Sequence, residues 1–117
     1  METVFRQGIK VLKIRSFQYV HDLVDGLIQT MASKYTQPIN IGNPDEYKII
    51  DFANLIKSMV KSQSSITFGP ATNDDPKQRR PDISRAMKEI NWYPKFSIDQ
   101  GLGETIAYFR QYLSTQQ

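Results

Sequence analysis

The residues best equipped for chemistry sit in one loop, Asn73-Asp74-Asp75-Pro76-Lys77-Gln78-Arg79-Arg80-Pro81-Asp82. Two adjacent guanidiniums on a proline-braced segment can grip a phosphate or a carboxylate through paired N–H donors, and the bracing lowers the ordering cost of binding. The same residues also allow Arg79 and Arg80 to pair with Asp74, Asp75 or Asp82 and merely order the loop, so both readings stay open. A further cation, Arg15, precedes Phe17 and Tyr19 and can lie beside their ring faces. An exposed surface arginine is the plainer reading there. His21 falls at a strand-to-helix junction and reads as a solvent-facing or capping residue rather than a general base.

Beyond these, the chain is sparing with chemistry. It has no cysteine and one histidine, which excludes a disulfide scaffold, a thiolate nucleophile, a zinc site built with sulfur and a histidine metal cluster, leaving only carboxylate metal sites open. There is no glycine-rich phosphate loop after a strand, no Gly-x-Ser-x-Gly and no histidine pair at helical spacing. Gly26 and Gly101-Leu102-Gly103 lie inside helical periodicity and match nothing that cradles a phosphate. The sequence therefore reads as a binding surface and not as a self-contained catalyst.

The elements that must position these residues follow from the apolar spacing. Val20, Leu23, Val24, Leu27, Ile28 and Met31 repeat at helical intervals and predict an amphipathic helix with that stripe buried. Arg15 to Val20 alternates like a short strand feeding it, and Asp22 lies in the first turn, where it suits the helix dipole. Ile39-Asn40-Ile41, closed by Gly42-Asn43-Pro44, predicts a second strand, and Ile66-Thr67-Phe68, closed by Gly69-Pro70, a third. Between them Ile49, Phe52, Ala53, Ile56 and Met59 or Val60 predict a helix over 49–61. Asp82 is placed to cap a short helix with inner face Ile83, Ala86, Met87 and Ile90, ended by Asn91 and Pro94. Ser97 and Gln100 form a capping box for a last helix with stripe Ile98, Leu102, Ile106, Phe109 and Leu113. Gly101 and Gly103 weaken that helix by about 1 kcal/mol each relative to alanine. The alternation indicates α/β architecture, yet three such short strands make a very small sheet, so the chain looks incomplete.

At 117 residues the chain is one domain or part of a larger one, and its 39% hydrophobic residues, with six Phe and six Tyr, separate it from a disordered tail. Its apolar runs are too short for a membrane span, and the N-terminus has no apolar core of a secretory signal. The net charge of +3 raises a basic nucleic-acid-binding domain as an alternative. The basic residues, however, gather around Arg6, Lys10, Lys13 and Arg15 and, mixed with Asp74, Asp75, Asp82 and Glu89, around Lys77 to Lys88. A duplex-binding face usually shows a wider stripe of uncompensated cations, so the expectation is no nucleic acid.

Taken together, Arg15-Ser16-Phe17-Gln18-Tyr19-Val20-His21-Asp22-Leu23-Val24-Asp25-Gly26-Leu27, Pro38-Ile39-Asn40-Ile41-Gly42-Asn43-Pro44, the Asp74-Asp75-Pro76 to Arg79-Arg80-Pro81-Asp82-Ile83 stretch and Trp92-Tyr93-Pro94-Lys95 resemble the UDP-glucuronic acid decarboxylase (UDP-xylose synthase) family of extended short-chain dehydrogenases. The resemblance runs over roughly residues 15–113. It implies an α/β fold, the incomplete C-terminal substrate-binding part of a Rossmann-type extended short-chain dehydrogenase, with short strands and about four helices. It divides the chain into a diverged segment, 1–14, where Ile9 to Ile14 replaces the Gly-x-Gly turn usual in the family, and the UDP-sugar-binding portion, 15–117.

The activity implied is NAD-dependent: oxidation at the sugar C4, loss of the C6 carboxylate as carbon dioxide, and reduction to UDP-xylose. In such enzymes the N-terminal half supplies the dinucleotide loop and a Tyr-x-x-x-Lys pair. Here Tyr108 has no lysine four positions on and Tyr93 is followed by Ser97, so the isolated chain is expected to bind no NAD and not to catalyse. By resemblance Arg15 reaches the diphosphate with Phe17 at the adjoining aromatic position. Arg79, with Arg80 beside it, lies near the sugar carboxylate. No residue is assigned as catalytic; Arg79 is a carboxylate contact. Asp82 remains a helix cap. Lys48 stands where a Ser or Thr cap is usual, a loss of about 1 kcal/mol. The implied partners are a UDP-sugar, held weakly by the chain alone, and a full-length homologue in a homo- or hetero-dimer, the chain then acting as a non-catalytic regulatory partner. Family members are cytoplasmic or Golgi-lumenal.

Overall fold

A computed structural model describes residues 13–69 and 80–116. Its described residues form two compact bodies, one drawing on residues 13–15 and 46–69, the other on 16–45 and 80–116.

In the first body, strand β1 (Ile14–Ser16), whose last residue begins the second body's segment, pairs with β2 (Glu46–Lys48). β2 runs directly into helix α2 (Ile49–Val60), and the Ile49 N–H donates to the Lys13 carbonyl at 2.9 Å. Lys48 is the N-cap of α2 and offers its backbone no side-chain acceptor, in line with the sequence. The helix stops at Lys61, which turns left-handed at φ 55° and lets the Ser62 N–H return to the Lys57 carbonyl at 3.0 Å, satisfying an end carbonyl that the helix leaves open. Ile49, Phe52 and Ala53 are buried, the first half of the expected stripe.

The second body contains α1 (Val20–Ala32), α3 (Ser84–Glu89) and α4 (Ile98–Thr115). Its core is Ile83, Ala86, Ile90 and Trp92, with Ile39 and Ile41 packed against it. After α3, Asn91 adopts φ 52°, and the Trp92 N–H then reaches back to the Ala86 carbonyl at 3.1 Å. This turn inserts the indole into the core, where only 1% of it remains exposed. The Ser97–Gln100 capping box is present in both directions: Ser97 Oγ accepts from the Gln100 N–H, and Gln100 Oε1 accepts from the Ser97 N–H.

Several expectations need correction. The apolar stripe of α1 faces solvent: Val20, Leu23, Val24, Leu27, Ile28 and Met31 are all exposed, whereas Asp22 and Gly26 on another face are buried. The reason is close approach. A Cβ on Gly26 would lie 2.8 Å from Ile41 Cγ2 and 3.2 Å from Trp92 Cε2, so the helix meets this core along its glycine, where backbone and side chains can touch. Met87 is likewise exposed, as are Phe109 and Leu113 at the far end of α4. Of the expected strand over 15–20 only Arg15 and Ser16 enter β1, and residues 39–41 and 66–68 are irregular. A strand exists only where a ladder partner lies beside it, and among the described residues those stretches have none. β2 escaped the reading because Glu46-Tyr47-Lys48 carries no apolar alternation.

Candidate functional site

Of the candidate residues, Arg15 lies half-buried in β1, its Nη1–H donating to the neighbouring Ile14 carbonyl at 2.8 Å. Phe17, half-buried, follows in the connection to α1, and Arg80 is exposed where the second body resumes. Arg15 belongs to the first body, Phe17 and Arg80 to the second. Arg79, the loop from Pro70 onward and most of the 1–14 segment lie outside the described residues.

At the start of α1 the second body gathers three rings. Tyr19 stands 4.8 Å from His21 and 4.7 Å from Phe96, and His21 meets Phe96 edge-on at 6.3 Å. His21 is exposed and its ring is engaged with aromatic neighbours, which suits the solvent-facing reading.

The residue that sequence reasoning undervalued is Asp22. It is 2% exposed, and its carboxylate turns away from its own helix end to accept two backbone N–H bonds, from Lys95 at 3.0 Å and Phe96 at 3.1 Å. Its carbonyl accepts the Trp92 indole N–H at 3.1 Å. One residue thus ties α1 to the turn 92–96 at three points, and that turn delivers Phe96 and the start of α4. A buried carboxylate needs such partners. An Asp in the first turn of a helix has the same local signature whether it serves the dipole or a distant turn, so only the pairing of Asp22 with the Trp92-Tyr93-Pro94 run could have hinted at it. Lys95 adds an exposed ion pair to Asp25 at 3.5 Å, worth little in water.

Asp82 performs its expected role from one position earlier than a formal cap. The N-cap of α3 is Ile83, while Asp82 Oδ1 accepts from the Ser84 N–H at 3.0 Å and the Ser84 hydroxyl at 2.7 Å. The Ser84 backbone bond, then its hydroxyl, with the Arg85 charge adding, hold the Asp82 carboxyl below its ordinary value.

The glycines test whether a dinucleotide could rest here. The Cβ positions of Gly26, Gly42 and Gly101 are filled by the chain's own Ile41, Pro81 and Tyr19, and that of Gly103 faces open space along a helix. None of these four glycines opens a strand-to-helix cradle of the kind that receives a pyrophosphate. No group of three or more His, Cys, Asp or Glu among the described residues could hold a metal, and no helix there is long and apolar enough to cross a membrane.

No known family profile matches the chain. It is 46% identical over 114 residues to UDP-glucuronic acid decarboxylase 1 of Danio rerio, covering 97% of this chain and 27% of that protein. To UDP-glucuronic acid decarboxylase 1 of Arabidopsis thaliana it is 44% identical over 108 residues, 92% of this chain and 24% of the relative. The chain thus spans about a quarter of the length of the curated relatives it matches. Among solved structures it resembles UDP-glucose 4-epimerase of Thermotoga maritima with UDP-glucose (TM-score 0.86, 24% identity, 92% of this chain and 35% of that one). It also resembles UDP-glucuronic acid 4-epimerase of Bacillus cereus with UDP-glucuronic acid and NAD (TM-score 0.82, 24% identity, 92% and 35%). These likenesses give the fold, a partial α/β piece of the Rossmann-type extended short-chain dehydrogenases.

Proposed function

As a homologue of the UDP-glucuronic acid decarboxylases, this chain is, we propose, the C-terminal, sugar-nucleotide-holding portion of such an enzyme, and it does not catalyse by itself. Identity of 46% across 97% of the chain, confined to 27% of the relative, carries the reading.

In this reading the C-terminal portion is residues 15–117, preceded by a diverged segment, 1–14. Arg15 neutralises the diphosphate of a UDP-sugar, with Phe17 as the adjoining aromatic surface. Arg79 serves as the contact to the glucuronate carboxylate, and Arg80 is a further substrate-binding residue. A guanidinium in that place holds the carboxylate before reaction and stabilises the enolate that remains when carbon dioxide leaves, since preorganised donors act most strongly where charge develops. When bound, NAD would supply the hydride acceptor that makes C6 decarboxylation accessible, and it would have to sit on another part of the assembled enzyme.

The test is incubation of the purified chain with UDP-glucuronate and NAD, followed by chromatography. The expected outcome is no UDP-xylose above a protein-free control, together with weak UDP-glucuronate binding in ligand-observed NMR that falls at least several-fold in Arg15→Ala and Arg79→Ala. UDP-xylose formed by the chain alone, or ligand binding indifferent to both arginines, overturns the reading.

A further inference from the structure

We infer that the second body carries a binding cleft for a phosphorylated monosaccharide, set between the C-terminal ends of α1 and α3. It goes beyond the proposed function, since Arg15, Phe17 and Arg80 take no part in its lining.

The cleft follows from how the two helices meet. Asp22, Gly26, Gln29 and Ser33 share one face of the α1 spacing, and at Asp22 and Gly26 that face is buried. Past Gly26, α1 runs on for about one and a half turns, while α3 ends at Glu89. Asn91 then turns left-handed and carries the chain down to Trp92, beneath Gly26. What is left between the two helix ends is a solvent-open cleft of about 440 Å³, lined by Gln29, Ser33 and Lys34 from one side and by Lys88, Glu89 and Asn91 from the other, with buried Ile90 between them. Small-molecule sites typically measure about 300–1,000 Å³. Gln29 and Ser33 lie on the opposite face of α1 from the exposed Val20 to Met31 stripe, so the cleft does not draw on those side chains.

The lining names the chemistry of the ligand. Among the described residues Lys34, Lys88, Glu89 and Asn91 make no side-chain hydrogen bond or ion pair, which leaves two ammonium groups facing one cleft with no carboxylate bound to either. Ammonium groups of this kind bind a phosphate as point charges. The remaining groups suit hydroxyls. Gln29 is fixed by its Nε2 donating to Asp25 Oδ2 at 3.1 Å, which turns its Oε1 over to accept, and Ser33 Oγ already accepts from the Tyr35 N–H at 2.9 Å, which leaves its O–H to donate. Both helix ends add open carbonyls. A bare anion would use the lysines and leave these acceptors unmet, and a neutral sugar would do the reverse. A sugar ring carrying one phosphate meets both sets.

The probe is glucose 1-phosphate, titrated at low salt into the intact, 15N-labelled 117-residue chain. Expected are saturable amide shifts at residues 29–34 and 88–91, with affinity at least 10-fold lower for inorganic phosphate and for glucose. Lys34→Gln with Lys88→Gln should weaken binding at least 10-fold. Lys34→Gln alone, past the end of α1 and so without cost to the fold, should weaken it at least 3-fold. Glu89→Gln keeps an acceptor and removes a repelling charge, so it should tighten binding at least 2-fold. Absence of saturable shifts at these residues would mean that the lysines only serve their helix ends, and equal affinity for inorganic phosphate would mean a bare anion site; either overturns the inference, as does binding indifferent to Lys34→Gln. Arg15→Ala should leave the shifts unchanged, and their loss in that variant also counts against the cleft. UDP-glucuronate plays no part in these readouts, so this cleft and the sugar-nucleotide reading fail separately.

Discussion

Asp22 shows how one side chain can govern a region that its own helix does not reach. Its carboxylate satisfies the Lys95 and Phe96 amides and its carbonyl the Trp92 indole. Removing the carboxylate strands two amide donors in a partly buried turn. Hydrogen bonds to a charged group contribute about 1.5–3 kcal/mol each, and unmet buried donors add their desolvation cost. Asp22→Ala should therefore lower unfolding free energy by about 3 kcal/mol or more, measured by urea denaturation, whereas Asp25→Ala, which loses only an exposed ion pair and a local bond to Gln29, should change it by less than about 1 kcal/mol. Equal effects would show that the three-point tie carries no special weight. At this scale the sequence was uneven. The Ser97–Gln100 box and the Asp82 cap were legible because capping is a contact between near neighbours. The tie from Asp22 to residues 92–96 spans 70 to 74 positions and left no local mark.

Among elements, α1 was legible as a helix and α2 as both a helix and a buried face, for the same reason: periodicity reports the face that is meant to be covered. In α2 the first half of that face, Ile49, Phe52 and Ala53, is covered within the chain and Ile56, Met59 and Val60 are half-buried. In α1 the stripe is open and a glycine makes the contact instead, so periodicity gave the helix and not its neighbour. The short strands failed the same way, since three residues carry too little pattern to stand against the need for a ladder partner. Glycines divide by surroundings as well. Gly101 is buried, and a Cβ there would meet Tyr19 Cβ at 3.0 Å, while Gly103 has nothing within 4 Å. Gly103→Ala should thus stabilise α4 by about 1 kcal/mol through helix propensity. At Gly101 the same change should lose about 1–3 kcal/mol by crowding Tyr19. Thermal denaturation of the two variants checks this, and shifts of the same sign would remove the distinction between them.

For the whole molecule, two bodies each hold a small core, and neither among the described residues forms a closed site. The family was nonetheless legible, because the motifs that carry the resemblance lie within the quarter of the relatives' length that this chain spans. Where Arg79 stands was not, as it lies outside the described residues. The placement of Trp92 has one more use. It is the only tryptophan in the chain and sits 1% exposed in the second body, so indole fluorescence is an optical reporter for that body alone. Its emission should be blue-shifted in the native protein and move red with the melting of residues 80–116. The ellipticity of α2, in the other body, is silent to that signal. If fluorescence and far-ultraviolet dichroism trace different denaturation midpoints, the two bodies melt independently, and the colour of a single ring will tell which one goes first.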